Sequence, residues 1–269
     1  IGGIVKNVQV GPSPEWMVER LKAAGQRSIN NLVDISNYVL LEMGHPTHIF
    51  DYDKLEQKEI HIRRAKKGES LTTLDEANHE LNETQLLITD GKTPIALAGV
   101  MGGLDTAVSE ETKSVLVESA YFDPVTTRKS AKSLHMNTDA SKRFERGADP
   151  EGAVNGFWRV VSLLQELAGG ELVSDMVDEY PKQITQSKIN LRRSELDLVL
   201  GHYVECKDVD RFLEALGFDH SYTETDWTCT PPSYRPDIER EIDVIEEIAR
   251  LVGYDTIPSD ENIYGTFRY

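Results

Sequence analysis

The hydrophobic pattern changes its period along this chain, and that change constrains the fold more than any other feature. Between residues 59 and 98 apolar side chains form short runs separated by turn signals, which is typical of strands. Helical patterns cover residues 14–25, 124–134 and 150–168. Helical spacing also joins the apolar side chains of residues 28–43, which are Ile29, Leu32, Val33, Ile35, Val39, Leu40 and Met43. We therefore predict an α+β fold with several short strands and flanking helices.

A break near residues 181–187 is predicted to divide the chain into two domains. Tyr180-Pro181 is the best linker candidate, because proline punctuates regular structure. We expect a first domain over residues 27–180, after a connecting segment at residues 1–26. The second, over residues 187–258, is expected to be a smaller helix-rich α+β domain, followed by a linker at residues 259–269. Its predicted elements are strands at 188–191 and 227–230 and helices at 194–200, 208–216 and 237–252.

The acidic charge balance restricts the partners of the chain. Its 269 residues carry a net charge of −17. Residues 1–180 contribute −9 and residues 181–269 contribute −8, because the basic and acidic counts are 19 and 28, then 10 and 18. Neither part offers the broad basic face that wraps a duplex or a long RNA. We therefore expect weak or no RNA binding by this chain alone, and no DNA binding.

Cysteine usage and hydropathy indicate a cytoplasmic protein without a membrane partner. Cys206 and Cys229 fit neither a disulfide framework nor a zinc site, which favours a reducing compartment. No apolar run approaches the roughly 18 residues of a membrane span. The first residue is Ile1 rather than Met, so the chain is expected to be a piece of a longer protein.

Three stretches rich in small residues suggest a pocket. Residues 99–103 hold three glycines, which suits either a tight turn or backbone that approaches a ligand. Glu118 ends an apolar run, where its carboxylate would lie in water or inside a cavity that must satisfy it. Residues 138–147 add further small residues. Each stretch alone also has an ordinary structural explanation.

Two further groups have metal-like spacing. Asp243, Glu246 and Glu247 share one face of the predicted last helix, and Asp237 is expected at its start. Clustered carboxylates are ligands for Mg²⁺, although acidic residues also favour helix N-termini and solvent. His45 and His48 are interrupted by Pro46, so one functional histidine in a loop is favoured over a metal pair.

Several motifs together closely resemble the β subunit of bacterial-type phenylalanyl-tRNA synthetase. Residues 27–38 and the stretch Gly44-His-Pro-Thr-His48 look like parts of its editing (B3/B4) domain, and the motifs at residues 99–103, 118–122 and 138–147 follow in the expected order. Residues 232–238 and 246–254 look like its B5 domain. The resemblance covers nearly the whole chain. One departure is Asp75-Glu-Ala77, where the family often has Asp-Gly, which puts the turn type of one loop in doubt.

The resemblance implies an editing site and a metal site. The implied editing pocket comprises Arg27, His48, Gly102, Glu118, Thr138 and Ala140. Of these, His48, Glu118, Thr138 and Ala140 are expected at the catalytic site and Arg27 and Gly102 in substrate binding. The implied Mg²⁺ site, at an interface with the α subunit, comprises Asp237, Asp243, Glu246 and Glu247.

The resemblance also implies an activity. The parent enzyme of this family joins phenylalanine to tRNA(Phe) with ATP, as a heterotetramer of two α and two β chains. This region is expected to hydrolyse misacylated Tyr-tRNA(Phe) at its 3′ end, without binding ATP itself. Two alternatives stay open: a non-catalytic structural module of the synthetase, and a free-standing aminoacyl-tRNA deacylase.

Overall fold

A computed structural model describes residues 1–257 and divides into two units, Ile1–Lys182 and Gln183 onward. Both units contain helices and small antiparallel sheets, so the predicted α+β class is confirmed. The linker predicted at residues 259–269 lies outside the described residues. Within the described residues, none of the helices combines the length and the apolarity that a bilayer span requires.

The first unit contains ten strands and five helices among its described residues. Its strands are β1 (Gly2–Lys6), β2 (Thr47–Asp51), β3 (Ile60–Arg64), β4 (Ser70–Thr72), β5 (Asn78–Glu80), β6 (Leu86–Asp90), β7 (Thr93–Leu97), β8 (Met101–Gly102), β9 (Ser114–Ser119) and β10 (Glu171–Leu172). Its helices are α1 (Glu15–Ala23), α2 (Asn31–Met43), α3 (Pro124–Ser133), α4 (Asp139–Phe144) and α5 (Gly152–Ala168).

A four-stranded antiparallel sheet, in the order β10-β1-β9-β2, forms the centre of the first unit. Side chains alternate across each strand, so Ile49, Val115 and Val117 face one side of the sheet. There they pack with α2 and α5 in a buried apolar core that includes Phe157. Phe50 and Leu116 face the other side and belong to a second core. The sheet therefore has apolar contacts on both faces.

The N-terminal segment has a larger role than the sequence suggested. Residues 1–26 were expected to connect to another region, yet β1 pairs with both β9 and β10 and α1 packs on α2. This segment is part of the first unit because β1 provides an interior strand of the central sheet.

The second sheet of the first unit has the order β3-β6-β7-β8. Gly91, with a φ of 56°, turns the chain between β6 and β7 at the predicted hairpin. Strands β4 and β5 form a separate hairpin, and Thr73 bridges from its end to Gly103. These contacts hold residues 99–103 between the hairpin and the central sheet.

Among its described residues, the second unit contains a three-stranded sheet and three helices. The sheet has the order β11 (Ile189–Arg192), β13 (Asp226–Thr230), β12 (Asp219–Tyr222). The helices are α6 (Arg193–Leu200), α7 (Cys206–Ala215) and α8 (Glu241–Val252), and they pack with the sheet around the fully buried Trp227. The last helix begins four residues after Asp237, so that residue does not start the helix as predicted.

Candidate functional site

His48 and Glu118 lie opposite each other on neighbouring strands. The register of β2 and β9 pairs His48 directly with Glu118. Directly opposite residues of an antiparallel pair have Cβ atoms about 5 Å apart and point to the same face. The sequence favoured a functional histidine in a loop, but His48 lies on β2, in a sheet that fixes its position.

Glu118 points to the face of the sheet that carries the smaller apolar cluster. Leu116 and Ala120, two residues away on either side, pack in that cluster with Phe122 and Phe144. Among residues 1–257 no side chain or amide forms a hydrogen bond with the Glu118 carboxyl, although the residue keeps limited solvent contact. Desolvation raises the pKa of Glu118 from its ordinary value to about 7. The structure thus contains a carboxyl group that lacks a hydrogen-bond partner among the described residues and whose pKa burial raises toward neutral.

The His48 ring has a buried nitrogen atom that makes no hydrogen bond among the described residues. Its Nε2 atom is buried and has no hydrogen-bond partner within residues 1–257. The ring meets Phe50 edge to face, with centroids 4.4 Å apart. Burial lowers the pKa of His48 from its ordinary value to about 4, so the ring is neutral at pH 7.

Gly102 is adjacent to the His48 ring. A Cβ atom built on Gly102 would lie 2.5 Å from Cε1 and 2.6 Å from Nε2 of His48. Any larger residue would therefore displace the imidazole. The resemblance implies that this glycine belongs to the site, and the structure places it against the His48 ring, where a side chain would not fit.

These residues surround a cavity of about 70 Å³. The cavity has room for water, but it is below the roughly 300–1,000 Å³ of typical small-molecule pockets. An aminoacyl side chain would require its walls to move. The lining residues are Pro46, Thr47, His48, Ile88, Ala96, Leu97, Gly99, Val100, Met101, Gly102, Glu118, Phe122, Ala140 and Phe144.

Helix α4 forms one wall and presents Ala140 to the cavity. Thr138 does not line the cavity but caps this helix, because its Oγ1 accepts a hydrogen bond from the Ser141 amide at 3.0 Å. The same hydroxyl donates to the carbonyl of Val100 at 2.8 Å. Thr138 therefore fixes the wall that contains Ala140 against the loop that leads to Gly102.

Arg27 is not among the residues that line the cavity. Its side chain is exposed and makes no ion pair with any residue from 1 to 257. The preceding residue, Gln26, donates to Asp139 at the start of α4 at 2.5 Å. Arg27 is thus attached near the cavity wall without lining the cavity.

His45 has a structural position behind this wall. It is 2 % exposed, neither ring nitrogen has a hydrogen-bond partner within residues 1–257, and the ring meets Phe144 edge to face. Gly152 and Gly156 leave space for it on α5. Burial lowers its pKa to about 4, while Asp149 and the backbone of Ala120 oppose that shift.

The sequence did not identify the aromatic part of the site. Phe122 and Phe144 both line the cavity and meet edge to face at 5.0 Å. Phe144 lies within residues 138–147, where the interval of four from Ala140 is a helical spacing that places both residues on one face. That interval was the available signal.

The predicted metal ligands of the second unit are engaged with arginines. Asp237 and Glu247 both accept hydrogen bonds from Arg235, at 2.7 and 2.8 Å, and Glu247 also bonds Arg250. The bond from Arg235 lowers the pKa of both carboxyl groups below their ordinary values. These contacts already neutralise the pair.

The other two carboxylates are arranged differently. Asp243 pairs with Arg240 at 2.8 Å and accepts the amides of Glu239 and Arg240, which is a helix-capping role. Glu246 is exposed and has no ion pair within residues 1–257. No group of three or more metal-type ligands occurs among the described residues. In this arrangement the four carboxylates do not fit a Mg²⁺ ion, because coordination would require the arginines to leave.

Comparisons with known proteins define the class of this chain. Residues 1–169 match the B3/4 domain and residues 189–254 match the tRNA synthetase B5 domain. Because the first match covers more than half of the chain, the chain belongs to the B3/4 domain family.

The particular resemblance predicted from the sequence is also confirmed. The chain is 44 % identical over 264 residues to the phenylalanine–tRNA ligase beta subunit of Protochlamydia amoebophila, covering 98 % of this chain and 33 % of that protein. Identity to the same subunit of Carboxydothermus hydrogenoformans is 46 % over 258 residues, covering 96 % and 32 %. The chain thus spans about a third of the length of these relatives.

A solved N-terminal fragment of the phenylalanyl-tRNA synthetase beta subunit from Pyrococcus horikoshii is also similar. Identity is 14 % with a TM-score of 0.43, covering 95 % of this chain and 70 % of that chain. A superposition this loose does not bear on the fold.

Proposed function

We propose that the first unit is a hydrolytic editing site that removes tyrosine from the 3′ end of tRNA(Phe) within phenylalanine–tRNA ligase. The observation that carries this proposal is the unpartnered Glu118 carboxyl beside His48 in a cavity with aromatic walls. Under this proposal the complete ligase, with its α subunit, ATP and tRNA, aminoacylates tRNA(Phe) in the cytoplasm.

Discrimination follows from the cost of an unpaired buried polar group. An apolar synthetic site cannot strongly reject tyrosine, which merely adds a hydroxyl to phenylalanine. A site that accepts the phenol O–H at Glu118 forms a charge-assisted hydrogen bond, about twice as strong as a neutral one. Phenylalanine would leave the carboxylate unsatisfied. Ala140 and Gly102 keep the space for the ring, and the small cavity would widen on binding.

Hydrolysis needs an oriented water more than a protein nucleophile, because the aminoacyl ester is already activated. The neutral His48 ring has a free buried nitrogen and is suited to position that water or the ester. The reaction breaks the ester bond. The water adds its hydroxyl to the acyl carbon, which becomes the carboxyl group of the released tyrosine, and its other proton goes to the ribose oxygen. Arg27 would help to hold the terminal adenosine.

A second role for Glu118 makes a different prediction. A carboxyl group with a pKa of about 7 also suits a general base at neutral pH. In the acceptor role, Glu118→Gln lowers the preference for Tyr-tRNA over Phe-tRNA. In the general-base role, the same variant slows both reactions equally and leaves the preference unchanged.

The experiment measures deacylation of Tyr-tRNA(Phe) and Phe-tRNA(Phe) by the complete ligase. We expect the wild-type preference for Tyr-tRNA to increase from about pH 6 to about pH 8, as Glu118 ionises. Glu118→Gln should remove this pH dependence. Glu111→Gln, at an exposed position before β9, is the matched control. Unchanged discrimination in Glu118→Gln would rule out the acceptor role.

The two alternative functions remain distinguishable in the same assay. A structural module would show no Tyr-tRNA hydrolysis that depends on His48 or Glu118. A free-standing deacylase would act without the α subunit. The family match to a tRNA synthetase B5 domain favours a role within the ligase.

For the second unit we propose contact with the α subunit. The described chain alone does not gather the predicted Mg²⁺ ligands, so any metal there would depend on the partner separating the carboxylates from Arg235 and Arg240. We assign no step of the reaction to that metal.

A further inference from the structure

Four exposed cations lie on or just after α3 and α4, two helices that pack together, and we define them as the basic face: Arg128, Lys129, Lys132 and Arg146. The first three are on α3 and the fourth follows α4. All four are exposed and have no ion pair with any residue in the described part of the chain. Arg64 extends this face, because its Nη2 donates to Thr126 at the beginning of α3 at 3.2 Å.

The basic face is unusual for this chain. Residues 124–147 contain six Lys and Arg against two Asp and Glu, a net charge of +4 in a chain of net −17. Arg128 and Lys132 are four residues apart on a helix, where like charges repel. The buried residues of α3 are Thr127, Ser130 and Ala131, so the cations lie on its outer side. An anionic partner would relieve the repulsion.

The basic face is continuous with the wall of the cavity. Helix α3 packs on α4, and α4 presents Ala140 and Phe144 to the cavity. Phe122, two residues before α3, also lines it. The inner side of this pair of helices therefore borders the unpaired Glu118, and the outer side carries the cations.

We propose that the basic face binds the phosphodiester backbone of the RNA whose 3′ end enters the cavity. This inference rests on the proposed editing function, which supplies the RNA substrate. Lys and Arg side chains on one helix face are suited to contact successive phosphates, and such contacts position a nucleic acid without reading its sequence.

The surrounding charge favours RNA over a membrane. An RNA strand is narrow and requires only a few adjacent cations, whereas a flat anionic membrane would also meet surface beyond these cations in a chain whose net charge is −17. Charges farther than about 8–10 Å are largely screened at physiological salt, so the local net charge decides the contact. The weak binding expected of the isolated chain is consistent with so few cations.

The first measurement is the affinity of the chain for an RNA stem-loop that has a single-stranded 3′ end and carries no amino acid. Fluorescence anisotropy between about 50 and 200 mM salt gives the slope of log K against log salt. Changing Arg128, Lys129 and Lys132 together to Gln should reduce that slope by about 2 to 3, since each phosphate contact contributes about 0.7 to 0.9. The matched control changes the exposed Lys6, Lys22 and Lys113 to Gln, and its slope should equal that of the wild type.

The second measurement is Tyr-tRNA deacylation by the complete ligase. The α3 triple variant should raise KM several-fold and leave kcat unchanged, because the cations hold RNA away from the ester. An unchanged slope and KM, or an equal loss in the control variant, would refute the proposal. The proposal would also be refuted if the α3 triple variant bound anionic phospholipid vesicles more weakly than the wild type but bound RNA equally well. A failure of the editing proposal gives a different result: the wild-type ligase would show no deacylation of Tyr-tRNA, while the salt slopes for RNA binding of the α3 triple variant and the wild type would still differ.

Discussion

At the scale of single residues, the candidate site combines two titratable groups that burial affects in opposite ways: it raises the pKa of Glu118 and lowers the pKa of His48. Glu118 is kept partly protonated and His48 is kept neutral, in both cases by desolvation. Among the described residues, neither Glu118 nor the buried Nε2 atom of His48 has a hydrogen-bond partner, and only the amino group of Ile1 partly opposes the pKa shift of Glu118. Such unpaired groups are a cost to folding, and they are common where a site must receive a polar ligand.

The cost of Glu118 can be measured. Its folded pKa of about 7 lies above the unfolded value of 4.5, so the native state favours the protonated form. The contribution of Glu118 to the free energy of unfolding is therefore lost as pH rises from 4.5 through 7, by about 3 kcal/mol. Glu118→Gln should recover most of this free energy of unfolding at about pH 8 and little at about pH 4. Hydrogen exchange of β9 amides measures the effect in this unit.

The control for that prediction is Glu111→Gln, at an exposed position where substitutions usually change stability by less than about 0.5 kcal/mol. A Glu118→Gln variant that is less stable than wild type at pH 8 would show that the carboxylate has a partner after all.

At the scale of secondary structure, long amphipathic segments were predictable and short ones were not. Helix α5 followed from its apolar spacing and its end at Gly169, which has a φ of 67°. Strand β2 was missed because His48 interrupts its apolar residues, and α4 was missed because only six residues form it. These elements are specified by tertiary contacts, since short helices gain most of their stability from packing.

Among the site residues, positions in the pocket were predictable, whereas roles that depend on long-range contacts were not. The resemblance placed Glu118 and Ala140 at the pocket, and both line the cavity. Thr138 instead caps α4, and its contact with Val100 joins residues 38 positions apart. No local pattern encodes that contact.

Helix α4 provides a test of this capping role. Thr138→Ala removes both the cap and the hydrogen bond to Val100, which should cost about 1–2 kcal/mol. Thr138→Ser retains a hydroxyl and should lose little. Urea unfolding measures the difference in stability. A Thr138→Ala variant with full stability but altered deacylation would instead indicate direct contact with substrate.

At the scale of the whole molecule, the acidic surface and the acid response have separate origins. The net charge of −17 is distributed over both units. Between about pH 4.5 and 6.5 the acid response of the first unit depends instead on His45 and His48, because burial lowers their pKa values from 6.5 to about 4, whereas carboxyl groups with lowered pKa values, such as Glu69, contribute mainly below that range. A lowered histidine pKa means that the unfolded state binds more protons between these values.

The proton balance predicts the shape of the stability profile. Between about pH 4.5 and 6.5 the unfolded state gains two protons at His45 and His48, while the native state holds one at Glu118. The net difference of one proton makes the free energy of unfolding fall by about 1.4 kcal/mol per unit of decreasing pH. Glu118→Gln removes the opposing proton and should double this slope. His45→Leu should flatten the wild-type slope to near zero.

The profile is measured by hydrogen exchange of β9 amides across this pH range in the three proteins. The two substitutions act through different protons, so the double variant Glu118→Gln, His45→Leu should recover the wild-type slope, although its absolute stability will differ. Parallel profiles in all of these proteins would contradict the assignment, because they would mean that His45 and Glu118 keep their unfolded pKa values in the native state. The two slopes are expected to move in opposite directions because burial lowers the pKa of His45 and raises the pKa of Glu118.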